Sequence, residues 1–230
     1  MGRYRILLMD ADNTLLDFGK AEREALIATL RESGVEASEA LIRGYSEIND
    51  EMWKRLERGE IDKISLRTER FRVFCSQYGI HADPKVLAAT YLQSLAMQSF
   101  PMEGVMEVCA TLARHCRLYI VTNGISQVQH GRLDHSPLRP YFEDVFISDE
   151  LGVEKPHKAF FDRVAALIPD FDPSVALVVG DSLTSDMAGG IGAGLDTCWF
   201  NPAGKPLPEG MPVNYVITRP EELLPLVIES

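Results

Sequence analysis

The sequence predicts an α/β protein: a Rossmann-like, mainly parallel sheet with helices on both faces, plus an inserted helical-bundle domain. From Pro101 onward, short apolar runs alternate with helical segments, which is typical of parallel strands joined by right-handed crossovers. Before that point, four successive stretches with apolar residues at helical spacing separate the first predicted strand from the others. We therefore expect residues 1–16 and 101–230 to form the sheet-bearing core domain and residues 17–100 to form the helical domain.

The composition is that of an ordinary globular chain. Of 230 residues, 46% are hydrophobic and 25% charged, which suffices for one sizeable core and a smaller accessory domain. The net charge of −11 argues against general affinity for nucleic-acid polymers or anionic membranes. The N-terminus lacks the apolar run of a signal peptide, and no stretch approaches the roughly 18 apolar residues of a membrane span. We therefore expect a cytoplasmic protein whose four separated cysteines are reduced and mostly buried.

The first predicted element is a strand at Arg5–Met9, whose continuous apolar character indicates burial on both faces. The four helical stretches that follow end at glycines or before a proline, as helix stop signals should. They are Ala21–Glu32, Ala40–Arg58, Ile64–Tyr78 and Pro84–Gln98. Among their aromatic residues, Trp53, Phe71, Phe74 and Tyr78 are expected to form the core of the bundle rather than a ligand site.

The second half of the chain alternates between helices and strands. Strands are predicted at Arg117–Val121, Val145–Ser148, Val175–Val179 and Thr197–Phe200, with an edge strand at Tyr215–Thr218. Helices are predicted at Gly104–His115, from Gly124 to about Leu133, and at Lys158–Ile168, Ser185–Ala193 and Glu221–Ile228. The glycine-rich run at 189–194 follows a helix rather than a strand, so it predicts close helix packing and a helix end, not a nucleotide loop.

Three predicted strands end in polar triplets, Asp10-Ala11-Asp12, Thr122-Asn123-Gly124 and Gly180-Asp181-Ser182. Parallel strands point the same way, so these triplets should converge at the edge of the sheet where α/β proteins bind ligands. Two carboxylates at i and i+2 face the same side of an extended segment and repel each other. A bound cation, a shared proton or divergence of the two side chains would relieve that repulsion, and a hard cation such as Mg²⁺ suits oxygen ligands. The alternative for this triplet alone is a solvated turn. The scattered histidines disfavour zinc.

These motifs resemble those of the haloacid-dehalogenase superfamily of phosphohydrolases. Asp10–Leu15 is similar to its first motif, Thr122-Asn123-Gly124 to its second, Lys155-Pro156 to its third and Gly180–Asp186 to its fourth. Their order and spacing match over nearly the whole chain, including a helical cap inserted after the first motif. The segments 151–156 and 193–202 further resemble the pyrimidine 5′-nucleotidases that clear noncanonical nucleotides. Ser136-Pro137-Leu138 departs from the pattern, since relatives tend to carry a small residue and Gly there, which puts the local turn in doubt.

The resemblance implies a Mg²⁺-dependent phosphatase that acts through an aspartyl phosphate. Asp10 would be the nucleophile and Asp12 the acid for the leaving oxygen and then the base for water. Asp10, the Asp12 carbonyl oxygen and Asp181 would bind Mg²⁺, with Asp186 orienting the site from behind the ligands. Phosphoryl oxygens would be held by Thr122, Asn123 and Lys155, and Lys155 would also counter the crowded carboxylates.

The substrate expected from the resemblance is a small phosphate monoester, most of all a nucleoside 5′-monophosphate. The alternatives left open are another metabolite, such as a sugar phosphate or an acylneuraminate 9-phosphate, a sugar-phosphate mutase, and a non-catalytic binding protein of the same fold. A dehalogenase is disfavoured, because it normally needs neither a metal nor a second acid such as Asp12. The protein is expected to be a monomer or a homodimer.

Overall fold

The computed structural model describes residues 3–228. Its sheet has six strands, all parallel, in the order β3-β2-β1-β4-β5-β6. The strands are β1 (Ile6–Met9), β2 (Arg117–Thr122), β3 (Asp144–Ile147), β4 (Ala176–Gly180), β5 (Asp196–Phe200) and β6 (Tyr215–Ile217). The predicted fold class is confirmed, and every predicted strand is present within one residue at each end. The predicted edge position of β6 is also correct.

The central strand β1 is buried on both faces, as its continuous apolar sequence predicts. Leu7 and Met9 belong to one apolar cluster, whereas Ile6 and Leu8 belong to a second cluster. Side chains of successive strand residues point to opposite faces, so the two clusters are the cores above and below the sheet. Both faces of the sheet are thus covered by helices, and ligands can reach the strands only at their ends.

Each of the nine predicted helices is present among the ten helices of the described residues, with differences at their ends. They are α1 (Phe18–Glu32), α2 (Glu39–Glu57), α3 (Lys63–Tyr78), α4 (Pro84–Ala96), α5 (Val105–Leu112), α6 (Ser126–Asp134), α7 (Ser148–Leu151), α8 (Lys158–Leu167), α9 (Ala188–Gly192) and α10 (Leu223–Val227). The short helix α7 was not predicted, and Ser148, predicted as a strand end, begins it. The predicted helix at Ser185–Ala193 begins as a π-helical turn, Leu183–Met187, before α9.

The chain divides into two compact units. The core unit contains the chain up to Phe18 together with the chain from Ser99 onward, and the insert unit is Gly19–Gln98. The sequence-based boundaries lie at 16/17 and 100/101. Within the core unit, Leu16 and Pro101 form an isolated antiparallel bridge, and the Asp17 N–H donates to the Phe100 carbonyl at 2.8 Å. We call these four residues the neck, because the chain leaves the core unit and returns to it there.

The insert unit has an aromatic core, although its members differ from the expected ones. Phe71 and Phe74 are fully buried, as predicted, but Trp53 and Tyr78 are only half-buried. Their place in the core is taken by Tyr45 and Tyr91, whose ring centroids lie 5.2 Å apart. Helical spacing identifies the face of a helix that is buried, but not how deeply each residue on that face is packed.

Two glycines of α9 allow close packing, as predicted. A Cβ atom at Gly189 would lie 2.6 Å from Phe161, and one at Gly190 would lie 2.6 Å from the Thr197 methyl group. Gly194, which directly follows the C-cap residue Ala193, has a positive φ of 75°, as is common just after a helix end. The predicted free thiols are also observed: Cys75, Cys109 and Cys198 are buried and Cys116 is partly buried. Within the described residues, no helix is both long and apolar enough to cross a membrane.

The departure from the family pattern at Ser136-Pro137-Leu138 is accommodated by a side-chain hydrogen bond. The Ser136 hydroxyl accepts the Leu138 N–H at 3.2 Å, and the Ser136 carbonyl accepts the Arg139 N–H at 3.3 Å. These bonds turn the chain after α6 and bury the Leu138 side chain completely. The turn thus forms without glycine.

Candidate active site at the carboxyl ends of the central strands

The three polar triplets lie at the carboxyl ends of adjacent strands. Asp10 follows β1, Thr122 ends β2 and Asp181 follows β4, and β1 pairs with both β2 and β4. The Asp10 N–H donates to the Val179 carbonyl of β4 at 2.8 Å, which extends the pairing as far as Asp10. The parallel register therefore brings together residues that are more than 100 positions apart in the sequence.

The Lys155 ammonium group lies at the centre of this edge and is buried, with 1% of its side chain exposed. Its Nζ donates to Asp10 Oδ1 at 2.7 Å, to Asp186 Oδ1 at 2.6 Å and to the Val121 carbonyl at 2.8 Å. All three donor positions of the ammonium group are thus used. Burial disfavours the charged form, but the two carboxylates outweigh that effect and raise the pKa of Lys155 above its usual range.

Three carboxylates form a cluster that fits a hard divalent cation. Asp10, Asp181 and Asp186 each place a carboxylate oxygen within 4.8 Å of the others. Burial and then the neighbouring carboxylates raise the pKa of Asp10 well above its usual value, although Lys155 opposes the shift. Burial, with Asp186 next, raises the pKa of Asp181 to about 7. Both shifts arise first from burial and then from neighbouring carboxylates, and an all-oxygen donor set is the kind that Mg²⁺ binds.

Both carboxylate oxygens of Asp186 accept hydrogen bonds from the protein. Its Oδ1 accepts from Lys155, and its Oδ2 accepts the Ser182 backbone N–H at 3.1 Å. The π-helical turn carries Asp186, and the Met187 N–H reaches back five residues to the Ser182 carbonyl at 3.0 Å. Asp181 is fixed through its backbone, because the Trp199 indole Nε1 donates to its carbonyl at 2.8 Å. The two acids are thus positioned by separate supports.

Asn123 joins the second and third motifs to each other. Its Nδ2 donates to the Lys155 carbonyl at 2.8 Å, and its Oδ1 accepts the Lys155 N–H at 2.9 Å. This pair of bonds fixes the backbone from which the buried lysine side chain extends. The Asn123 amide group is therefore bonded mainly to the Lys155 backbone, and these two bonds use only one of its two Nδ2 hydrogens. The Thr122 hydroxyl, also predicted to bind phosphate, accepts from the Gly124 N–H at 3.2 Å.

The Asp12 carboxylate has partners that the sequence did not reveal. Its Oδ1 accepts a hydrogen bond from Arg132, and its Oδ2 accepts from Gln129 at 2.9 Å. Arg132 and Gln129 lie on α6 and are almost completely buried. The available sequence signal was a glutamine and an arginine three residues apart, shortly after the second motif. On a short helix this pattern usually indicates a solvated face, and so both residues were missed.

A cavity of about 270 Å³ opens beside the carboxylate cluster on the core unit. Its walls combine polar groups, including Asp181, Asn13 and Lys205, with the apolar surfaces of Trp199 and Met102. Asn13 has a positive φ of 59°, a conformation that asparagine tolerates better than most residues, and it turns the chain directly after Asp12. Asp181 is therefore accessible from a space large enough to admit small solutes.

The fold and the strand-end site define an α/β protein with a carboxylate-rich centre at the ends of its central strands. Comparison with known proteins confirms the predicted family: this chain belongs to the haloacid dehalogenase-like hydrolases, whose family pattern matches residues 4–194. Its relatives include the HAD-hydrolase YfnB of Bacillus subtilis, 39% identical over 97% of this chain and 95% of that one. A solved structure of YfnB bound to magnesium superimposes with a TM-score of 0.92 at 38% identity, covering 96% of this chain and 97% of that one.

Two further relatives support the predicted resemblance to the nucleotidase branch. The pyrimidine 5′-nucleotidase PynA of Streptococcus pneumoniae is 42% identical, over 86% of this chain and 84% of that one. The pyrimidine 5′-nucleotidase YjjG of Escherichia coli is 30% identical, over 94% of this chain and 95% of that one.

Proposed function

We propose that this protein is a Mg²⁺-dependent phosphatase that hydrolyses small phosphate monoesters through an aspartyl phosphate on Asp10. The observation that carries the proposal is the buried Lys155 ammonium group, bonded to Asp10 and Asp186 at the edge of a three-carboxylate cluster. A phosphate monoester is a dianion, so its binding requires concentrated positive charge in a protein whose net charge is −11. A lysine and a divalent cation at one strand edge supply that charge locally.

The residues of the site fit the steps of such a reaction. An Asp10 carboxylate oxygen attacks phosphorus and forms a P–O bond, while the bond from phosphorus to the leaving oxygen breaks. Asp12 gives a proton to the leaving oxygen, so that an alcohol departs. Asp12 then accepts a proton from the water that attacks phospho-Asp10. Inorganic phosphate is released, and both carboxylates return to their starting states.

Mg²⁺ would be held by Asp10, Asp181 and the Asp12 carbonyl oxygen, and it would supply neutralisation of the negative charge on the phosphoryl group. The proximity of the Asp10 and Asp181 carboxylates supports this assignment, because a bound cation would favour their ionised forms against the burial that raises both pKa values. Thr122 and Asn123 would hold phosphoryl oxygens, and Lys155 would join them by exchanging its bond to Asp10 for one to a phosphoryl oxygen. Asp186 would keep Lys155 charged and in place.

Nucleoside 5′-monophosphates are the substrate class that we propose, and pyrimidine and deoxy forms are expected to be the best among them. The support is the relationship to PynA and YjjG, both named as pyrimidine 5′-nucleotidases. The insert unit, residues 19–98, is proposed to act as the cap domain that governs substrate choice. The fold is shared by enzymes with other substrates, so the choice of substrate must be measured.

A panel of phosphate esters tests the proposal. With Mg²⁺, the protein should release phosphate from p-nitrophenyl phosphate. Its kcat/KM should be higher for pyrimidine nucleotides than for hexose phosphates or an acylneuraminate 9-phosphate. Excess chelator should abolish turnover. If a sugar phosphate gives the highest kcat/KM, the nucleotide assignment is wrong, but the assignment as a phosphatase still holds. If a sugar phosphate is isomerised without net phosphate release, the protein is a mutase.

Substitution of the nucleophile gives a sharper test. Asp10→Asn should abolish turnover, to less than about a hundredth of the wild-type rate, because an amide cannot form the acyl phosphate. Asp162→Asn, an exposed aspartate on α8, is the matched control and should keep full activity. Residual Asp10→Asn activity above about a tenth of wild type, equivalent to roughly 1.4 kcal/mol of barrier, would mean that another group is the nucleophile.

A further inference from the structure

Helix α6 presents two polar side chains to the interior of the core unit. Gln129 and Arg132 are three residues apart and therefore share one face of the helix. Gln129 is 1% exposed and Arg132 is 0% exposed. Burial of a guanidinium group and an amide costs free energy unless both are hydrogen-bonded, and apolar residues would fill the same space without that cost. The polar pair is therefore explained by the groups that it contacts.

Those contacts converge on the Asp12 carboxylate. Arg132 Nη1 donates to Asp12 Oδ1, and Gln129 Nε2 donates to Asp12 Oδ2 at 2.9 Å. The same Gln129 amide nitrogen donates to the Thr122 hydroxyl at 2.7 Å, and its Oε1 accepts from Arg132 at 3.1 Å. Each Asp12 oxygen thus has one donor from a rigid helix, which fixes both the plane and the tilt of the carboxylate. Each oxygen keeps a second lone pair, which is available for a proton.

The backbone of the second motif is shaped around this pair. A Cβ atom at Gly124 would lie 2.4–2.6 Å from the Gln129 side chain, closer than atoms approach in proteins. The glycine in Thr122-Asn123-Gly124 therefore leaves the space through which Gln129 reaches Asp12. The arrangement involves the loop after β2 as well as the helix, so it does not depend on the orientation of a single side chain.

We propose that Arg132 and Gln129 are positioning residues for the phosphatase reaction, which fix the Asp12 carboxyl group in the orientation required for proton transfer to the leaving oxygen. This inference rests on the proposed function. The proton that is transferred belongs to Asp12, while Arg132 and Gln129 retain theirs and act only through the carboxylate. The side chain of Asp12 is 28% exposed, so that one side of the fixed carboxylate remains open.

The dependence of the rate on the leaving group tests this role. Benzyl phosphate and p-nitrophenyl phosphate have similar bulk, but only benzyl alcohol needs a proton to leave. In Arg132→Met, kcat/KM for benzyl phosphate should fall by about tenfold more than kcat/KM for p-nitrophenyl phosphate, which is part of the roughly 10²–10⁴-fold that general acid catalysis contributes. Gln129→Leu should shift the same ratio in the same direction, and Arg132→Lys should restore much of it. The ratio does not depend on the fraction of folded enzyme, so partial misfolding leaves it interpretable.

A double-mutant cycle separates positioning from general structural damage. In an Asp12→Asn background, Arg132→Met should not change the substrate ratio further, because the residue through which it acts is gone. Arg139→Met is the control, since it removes a structural bond to the Phe142 carbonyl in the segment that follows α6. That variant should leave the ratio unchanged. An unchanged ratio in Arg132→Met, or an equal change with and without Asp12, overturns the inference. Absence of hydrolysis of either ester by the wild type overturns the proposed function and the inference with it.

Discussion

Removal of the Lys155 ammonium group should destabilise the metal-free protein strongly and in a pH-dependent way. Lys155→Met keeps the apolar stem but leaves Asp10 and Asp186 without the cation that lies between them. Loss of one partner from a buried ion pair costs about 3–5 kcal/mol. For a chain of this length, that corresponds to a decrease in Tm of roughly 6–20 °C.

The pH dependence follows from the carboxylates that remain. A carboxyl group whose pKa is higher in the folded protein stabilises the fold at pH values below its unfolded pKa, about 4. That contribution is lost as pH rises through the folded pKa. Lys155 lowers the pKa of both Asp10 and Asp181, so its removal raises both pKa values further. The deficit in Tm relative to wild type should therefore be greatest near pH 8 and smaller near pH 5.

Thermal unfolding followed by circular dichroism, with chelator present, measures both effects. Lys158→Met is the matched control, because Lys158 forms an exposed pair with Asp162 on α8. Exposed pairs contribute little, so its Tm should change by about 1–2 °C at most. A Lys155→Met deficit that is equally large at pH 5 and pH 8 would show that packing, not charge, is what the lysine provides.

Three further predictions concern the acid, the packing and the metal. Asp12→Asn given p-nitrophenyl phosphate and Mg²⁺ should show a burst of about one nitrophenol per active site and then slow turnover, because water attack has lost its base; rapid-quench kinetics without a burst would contradict this role. Gly190→Ala should lower the free energy of unfolding by about 1–3 kcal/mol, because its Cβ would lie 2.6 Å from the Thr197 methyl group. Gly192→Ala, with no atom within 4 Å of its Cβ, should cost nothing, and equal losses in denaturant titrations would refute the packing argument. Mg²⁺ should raise the Tm of wild type more at pH 8 than at pH 6, because protons compete with Mg²⁺ for the Asp181 carboxylate, whose pKa without metal is about 7. Equal Tm shifts at both pH values in calorimetry would exclude Asp181 as a ligand.

The parts of this site that sequence analysis predicted are those whose position follows from strand ends. Asp10 and Asp181 each come directly after an apolar run, and the parallel sheet brings such positions together whatever the intervening chain does. The proximity of Lys155 to Asp10 came from the family resemblance alone, because the lysine follows α7 rather than a strand. The spacing of apolar residues could not have placed it there.

The parts that were missed depend on tertiary contacts. Gln129 and Arg132 are polar residues on a short helix, and their burial results from the position of Asp12 on a distant segment. The π-helical turn at Leu183–Met187 was also missed, because the spacing of its residues is compatible with an ordinary helix. Asp186 lies in that turn, and no local sequence pattern predicts its bond to Lys155 or its proximity to Asp10 and Asp181.

At the neck, the chain leaves the core unit and returns to it at neighbouring positions, so the inserted helices could be removed without breaking the sheet. Leu16 and Pro101 are already neighbours, so a short turn in place of residues 19–98 would join ends that need not move. Shorter loops also lose less entropy on closure. Sites at which two chain ends lie close together are those that accept grafted domains. A chain that lacks residues 19–98 would retain all six strands and Asp10, Lys155 and Asp181. A different insert could therefore be placed there without changing the strand order of the sheet.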